Sequence, residues 1–167
     1  MTDEGRCELI DGYIVDMSPA PGIIHQRIIR KMIIDISSFI DLHNEKCEPF
    51  ITSNVKLTDD TVLIPDIYVT CHPENLDGQK HIGAPDWMIE IVSPSNFTND
   101  YYTKLHIYKE HGVREYWIID PRNDSVTVYI WDEGLNDCKH YTFTDRIPVY
   151  IFKDKTPPLE ICVGNYL

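Results

Sequence analysis

The chain has no excess of basic residues. Fifteen lysines and arginines face 27 aspartates and glutamates, a formal net charge of −12. That counts against broad, sequence-independent phosphate binding, which wants a basic face. It does not exclude a local site, because a bound metal and a small basic patch can dominate the nearby field. There is no apolar run near the roughly 20 residues of a membrane span, and Met1-Thr2-Asp3-Glu4-Gly5 has neither a basic region nor an apolar signal core. A cytoplasmic protein is the expectation. No CxxC pair occurs among Cys7, Cys47, Cys71, Cys138 and Cys162, and their number is odd. Free thiols are expected, rather than a disulfide scaffold or a zinc knuckle. Cys71, His72 and His81 are too few and poorly spaced for zinc. Internal repeats, linkers and low-complexity segments are absent as well.

What is present suits a globular chain. Hydrophobic residues make up 43% of 167 residues, enough for one domain spanning 1–167 with a core of its own. Asp11-Gly12 between short apolar runs signals an N-terminal hairpin. Ile24, Ile28, Ile29, Met32, Ile33, Ile36, Phe39 and Ile40 recur at the helical period and predict a helix to about His43. Its first two turns carry His25, Gln26, Arg27, Arg30 and Lys31, the densest basic patch of the chain. The bland alternative is a solvated helix face.

Two strands are expected over Phe50–Leu57 and Val62–Thr70, paired around the turn Thr58–Thr61. His72–Pro85 reads as loop. Trp87–Val92 is apolar almost throughout, as in a strand buried on both faces. Ser95 is a candidate cap for a helix running to about His111, with Asp100 in its first turn and Gly112 at its end. Tyr116–Asp120 supplies the next strand and completes a βαβ unit. Ser125–Trp131 and Lys139–Phe143 read as a C-terminal hairpin, and Thr156–Leu159 as an extended tail.

Two of these strands hold a carboxylate among apolar neighbours. Asp66 follows Pro65, and Glu90 sits between Ile89 and Ile91. Burying a carboxylate is costly without a cationic partner, and Lys104 lies on the helix that follows Glu90. Asp66 alone could simply begin a turn, and Glu90 with Lys104 could be a metal-free ion pair. Together, two carboxylates and a lysine at strand ends are the groups that a divalent metal and an attacking water need.

The αβββαβ order, Pro65-Asp66 on one strand and Glu90-Ile91-Val92 on the next resemble the PD-(D/E)XK nuclease superfamily, with its restriction endonuclease-like α/β fold of the α+β type. The usual motif has a lysine two residues after the second acid; Val92 stands there instead. A bacterial branch of endonucleases carries that lysine on the following helix. The chain is similar to this branch in Glu8-Leu9-Ile10-Asp11-Gly12, Met17-Ser18-Pro19, His25-Gln26 and Pro65-Asp66. The likeness continues in Gly83-Ala84-Pro85-Asp86, Glu90 to Ser95, Asp100, Lys104, Tyr108, Gly112-Val113, Glu115-Tyr116-Trp117 and Asp120-Pro121.

The resemblance implies a central mixed β-sheet flanked by helices, with hairpins at both ends of the chain. It implies Mg²⁺ or Mn²⁺ held by Asp66, Glu90 and the Ile91 carbonyl, with Glu8 completing the shell. Lys104 would orient or activate the attacking water, and His25 with Gln26 would assist near phosphate. The implied reaction is endonucleolytic hydrolysis of a phosphodiester, in DNA before RNA, by a metal-activated water. Symmetric double-strand cutting would make a homodimer plausible on geometric grounds. A second reading stays open: a catalytically silent nuclease-fold protein that binds a protein or nucleic acid. Tyr108 and Trp117 are assigned to the core.

Overall fold

The computed structural model describes residues 7–17, 22–93 and 99–167, the side chains of 99–102 excepted. The expected cap at Ser95 and the side chain of Asp100 lie outside the described residues. The chain begins with strands β1 (Cys7–Ile10) and β2 (Tyr13–Asp16), followed by helix α1 (Ile23–His43). Asp11 and Gly12 both have positive φ, 50° and 80°, as the two central residues of a tight hairpin turn require.

On α1, Ile28, Ile29, Met32, Ile36, Phe39 and Ile40 are buried, the face that the spacing predicts. Isoleucine is only a moderate helix former, so burial against the sheet rather than propensity holds this helix. Truncating a fully buried member such as Met32 to alanine costs about 2–5 kcal/mol. Asn44 ends the helix in the left-handed conformation and returns its N–H to the Asp41 carbonyl.

The next region departs from expectation. Instead of two long paired strands, the chain forms β3 (Glu48–Ile51), β4 (Val55–Lys56), β5 (Val62–Leu63) and β6 (Ile67–Thr70). β3 pairs with β6 and β4 with β5, but the two pairs belong to different sheets. The switch comes at Thr52, with φ 51°, on the way out, and at Ile64-Pro65-Asp66 on the way back. Proline has no N–H to give a ladder, so the strand is interrupted there. The expected loop His72–Pro85 contains a 3₁₀ turn and a short strand, β7 (His81–Ile82), which runs parallel to β4.

β8 (Trp87–Ile91), α2 (Asn99–Glu110) and β9 (Glu115–Asp120) follow, with β8 and β9 parallel as a βαβ unit demands. β10 (Ser125–Ile130) and β11 (Asp137–Thr142) form the C-terminal hairpin. The larger sheet has the order β11-β10-β9-β8-β6-β3, and the smaller one β2-β1-β5-β4-β7. The αβββαβ core therefore stands as α1, β3, β6, β8, α2, β9.

Residues alternate across the larger sheet. Val69, Trp87, Ile89, Ile91, Trp117 and Ile119 join the cluster under α1, and Tyr68, Met88, Tyr116 and Ile118 join the cluster under α2. Glu90 shares the parity of Met88, so it belongs to the α2 side. Trp87 and Trp117 meet edge to face at 5.1 Å.

Two further expectations are corrected. The stretch Thr156–Leu159 is no free tail: it leads into a strand, and Leu159 is buried. β12 (Ile147–Pro148) pairs with β13 (Glu160–Ile161), and Leu159, Ile161, Val163 and Tyr166 are buried in the α1 cluster. The apolar residues recur too irregularly there to give a period, yet they close the core. Nor are all cysteines free: Cys47 and Cys71 form a disulfide. The β3–β6 register pairs Glu48 with Thr70, so one step further sets Cys47 opposite Cys71. Sequence separation hides such a cross-strand pair. Cys7, Cys138 and Cys162 are free thiols, as expected.

Asp86 and Glu115 are buried and structural. Asp86 accepts from the Cys71 N–H at 2.6 Å and from Arg114 at 3.0 Å. Glu115 accepts from the Trp117 indole and from the N–H groups of Tyr150 and Ile151, fixing β9 to the turn after β12. Complete burial pushes its carboxyl up to about 7, against the pull of those three donors.

Two outcomes follow from Glu115. Its folded-state pKa of about 7 lies above its ordinary 4.5, so the native state holds the proton more tightly. The corresponding stability is fully present below the ordinary value and is lost as pH rises through the folded one. Urea melts from pH 4.5 to 7.5 should therefore show a falling contribution that is absent in Glu115→Gln. At pH 7 that variant, whose amide turns a donor toward donors, should lose about 1–3 kcal/mol.

Candidate active site

Five of the sequence-selected side chains come together where the two sheets and both helices meet. Lys104, in the first half of α2, donates to Glu90 of β8 and lies 3.0 Å from one oxygen of each of Glu8 and Glu90. Lys104 is 3% exposed and Glu8 4%, so this pair is shut away from water, while Glu90 is only partly buried. The same Glu8 Oε1 accepts the Ile64 N–H at 2.8 Å. Glu8 thus couples β1 to the stretch that carries Pro65 and Asp66.

Tyr108 is a fully buried core residue, as its sequence context predicts, and its hydroxyl also donates to Glu90 Oε1 at 2.8 Å. Lys104 and Tyr108 are one helical turn apart, so both face β8. That i,i+4 spacing was the available signal in the sequence. Burial, reinforced by the carboxylates of Glu90 and Glu8, holds the Tyr108 hydroxyl well above its ordinary pKa. It stays protonated and serves as a donor.

Asp66 immediately precedes the strand opposite, β6. The β6–β8 register pairs Ile67 with Ile89, and one step further sets Asp66 against Glu90. Asp66 Oδ2 accepts the Ile91 N–H at 2.7 Å and lies 3.0 Å from His25 Nε2. A carboxylate has only acceptors, so His25 carries its proton on Nε2 toward Asp66. His25 Nδ1 is buried without a hydrogen-bond partner.

One more step of the register sets Pro65 against Ile91. A residue other than proline would offer its N–H to the Ile91 carbonyl; Pro65 has none. The Ile91 N–H turns to the Asp66 side chain instead of to the ladder. The Pro-Asp pair thus leaves a strand carbonyl without its regular donor and puts a carboxylate beside it.

Glu8, Asp66 and Glu90 face one lysine, an excess of two formal negative charges with His25 neutral. Among the described residues, no three His, Cys, Asp or Glu side chains converge as a ready-made metal ligand set. Lys104 stands between Glu8 and Glu90, and His25 is seated on Asp66. Gln26 follows His25 on the exposed face of α1. His81, considered for zinc, is buried against Thr70 and the Gly83 carbonyl.

A mixed sheet between two helices, with an acid on each of two adjacent strands and a lysine on the helix that follows, defines a restriction endonuclease-like protein. The chain belongs to the Uma2 family, described as "Putative restriction endonuclease", whose model matches residues 1–150. Among solved structures, the chain is similar to one described as "a putative nuclease belonging to DUF820 from Anabaena variabilis ATCC 29413". The TM-score is 0.78 at 24% identity, covering 98% of this chain and 90% of that one. This likeness shows the fold. A DrdV–DNA complex matches with a TM-score of only 0.37 at 12% identity, over 72% of this chain and 12% of that one, and carries no argument. No curated protein matches the sequence. No helix among the described residues is long and apolar enough to cross a membrane.

Replacing Lys104 by methionine keeps an unbranched side chain one atom shorter and removes its charge. The buried Glu8 and the partly buried Glu90 would then lose their shared cation, at a cost of up to about 3 kcal/mol. Denaturant unfolding should show this loss at pH 7.

Proposed function

We infer that this protein is a metal-dependent endonuclease, hydrolysing phosphodiester bonds of nucleic acid, with DNA in preference to RNA. The observation that carries the reading is the convergence of Lys104 and Tyr108 on Glu90, with Asp66 seated at the end of the same strand. The family description points to the same chemistry.

The donor set fits Mg²⁺ or Mn²⁺. Asp66, Glu90 and the Ile91 carbonyl are hard oxygen ligands, and a divalent cation would balance the charge excess. When bound, such an ion would supply a water acidic enough to attack at neutral pH and would draw charge from the phosphoryl oxygens. The remaining tasks fall to side chains. Lys104 holds the attacking water and offsets charge gathering on the phosphate. Tyr108 fixes the rotamer of Glu90. His25 fixes Asp66 through Nε2–H, and Gln26 reaches the phosphate beside it. Glu8 spends Oε1 on Lys104 and Ile64, which makes it the anchor of the lysine before it is a metal ligand.

One domain of 167 residues holds all of these groups. A homodimer is needed only where both strands of a duplex are cut at once.

A second reading has its own support: Lys104 already pairs with both Glu8 and Glu90. A chain that keeps this pairing would be a silent nuclease-fold module for a protein or nucleic acid. Calorimetric titration with Mn²⁺, alone and with DNA present, separates the two. The nuclease reading expects binding to the wild type and none to Asp66→Asn. It also expects metal-dependent cleavage to fall at least a hundredfold in Glu90→Gln. Full cleavage by that variant, or no metal binding even with DNA, hands the protein to the second reading.

A further inference from the structure

We propose that the groove between the first turns of α1 and the end of β3 is a subsite for an unpaired nucleotide, so that the strand passing the site is single-stranded there. The proposal rests on the nuclease reading above and adds a substrate class to it. The groove has a volume of about 480 Å³, the size of a small-molecule pocket. Its apolar lining comes from Ile29 and Ile33 of α1 and Ile51 of β3, and Arg27 and Arg30 supply its charge. Ile23, 78% exposed, and Ile51, 43% exposed, are left open to solvent.

The groove adjoins the acids. Gln26 lines it and follows His25, which is bonded to Asp66. Ile51 pairs with Ile67, and the N–H of the next residue, Thr52, donates to the Asp66 carbonyl. Both walls therefore lead directly to Asp66.

Its charge runs opposite to that of the chain. The lining holds two arginines and no acid, on a protein of net charge −12. A solvated helix face in so acidic a chain would set Asp or Glu three or four residues from each arginine. Arg27 has Ile23, Ile24, Arg30 and Lys31 at those positions, and Arg30 has Gln26, Arg27, Ile33 and Ile34. Neither arginine makes an ion pair or hydrogen bond with a described residue. Unpaired arginines over isoleucine can lay their stems on the apolar floor, stack their guanidinium planes on a base and donate to phosphate.

A concave, apolar floor receives a group that projects from the nucleic acid. A base within a duplex keeps its faces stacked and presents only its edges. An unpaired base presents a face.

The test is fluorescence anisotropy with the full chain in EDTA, using a labelled 12-nucleotide DNA single strand and the duplex of the same sequence, over a range of salt. The single strand should bind at least tenfold more tightly than the duplex. Arg27→Glu/Arg30→Glu should lose at least tenfold on the single strand. It should also flatten the slope of log K against log salt by about 1.4, two phosphate contacts' worth. Ile51→Ser, at an exposed position, should weaken the single strand alone. Circular dichroism of both variants confirms folding.

Equal affinity for single strand and duplex, or unchanged affinity in the double variant, overturns the subsite. So does a dimer, seen by sedimentation, that the double variant dissociates without changing oligonucleotide affinity. Cleavage that persists with variant-insensitive binding overturns the subsite and spares the nuclease reading. Variant-sensitive binding without Mn²⁺ binding or cleavage overturns the nuclease reading and spares the subsite.

Discussion

The position of one ammonium group decides where the parts of this protein meet. Lys104 brings together a helix, a strand of the small sheet and a strand of the large one through its contacts with Glu8 and Glu90. Taking Lys104 and Glu8 out of water is expensive, and a well-packed apolar pair of similar volume would often be as stable. The ion group therefore explains placement better than it explains stability. It fixes Glu90 against α2, and through Glu8 and the Ile64 N–H it fixes the chain that leads into Asp66.

A second constraint comes from Pro65. Its missing N–H interrupts the strand and spares the Ile91 carbonyl a ladder donor. Asp66, one residue later, accepts the Ile91 N–H that the ladder gives up. A local backbone fact thus makes an oxygen-rich strand end out of ordinary β-structure. Lys104 brings the cation to it from a different direction, so the site needs both the sheet register and the helix orientation to be right.

The sequence made parts of this legible. The isoleucine period of α1, the Asp-Gly turn and the apolar run of β8 are local signals, and each corresponds to a structural element. Asp66, Glu90 and Lys104 stood out because charges among apolar residues need partners, and Glu90 and Lys104 are each other's. Other features depend on which distant segments meet. The division of residues 50–70 between two sheets follows from the small sheet's need for partners, to which the period of two is blind. Cys47 and Cys71 are 24 residues apart and meet only through the β3–β6 register. Tyr108 was read as a core aromatic, which it is; its bond to Glu90 appears only once α2 is laid on the sheet.

The C-terminal stretch has a consequence for biosynthesis. Tyr166 donates to Asp35 across 131 positions of chain, and Phe152, Leu159, Ile161 and Val163 share the cluster of Ile36 and Phe39. Until those residues have been made, the cluster that α1 shares with the sheet lacks part of its packing. His25 rides on that helix, so the support beneath the His25–Asp66 pair includes residues far downstream in the chain. Contacts this distant in sequence also slow folding. The helix that carries His25 is thus secured by residues made long after the strands that flank Asp66 and Glu90.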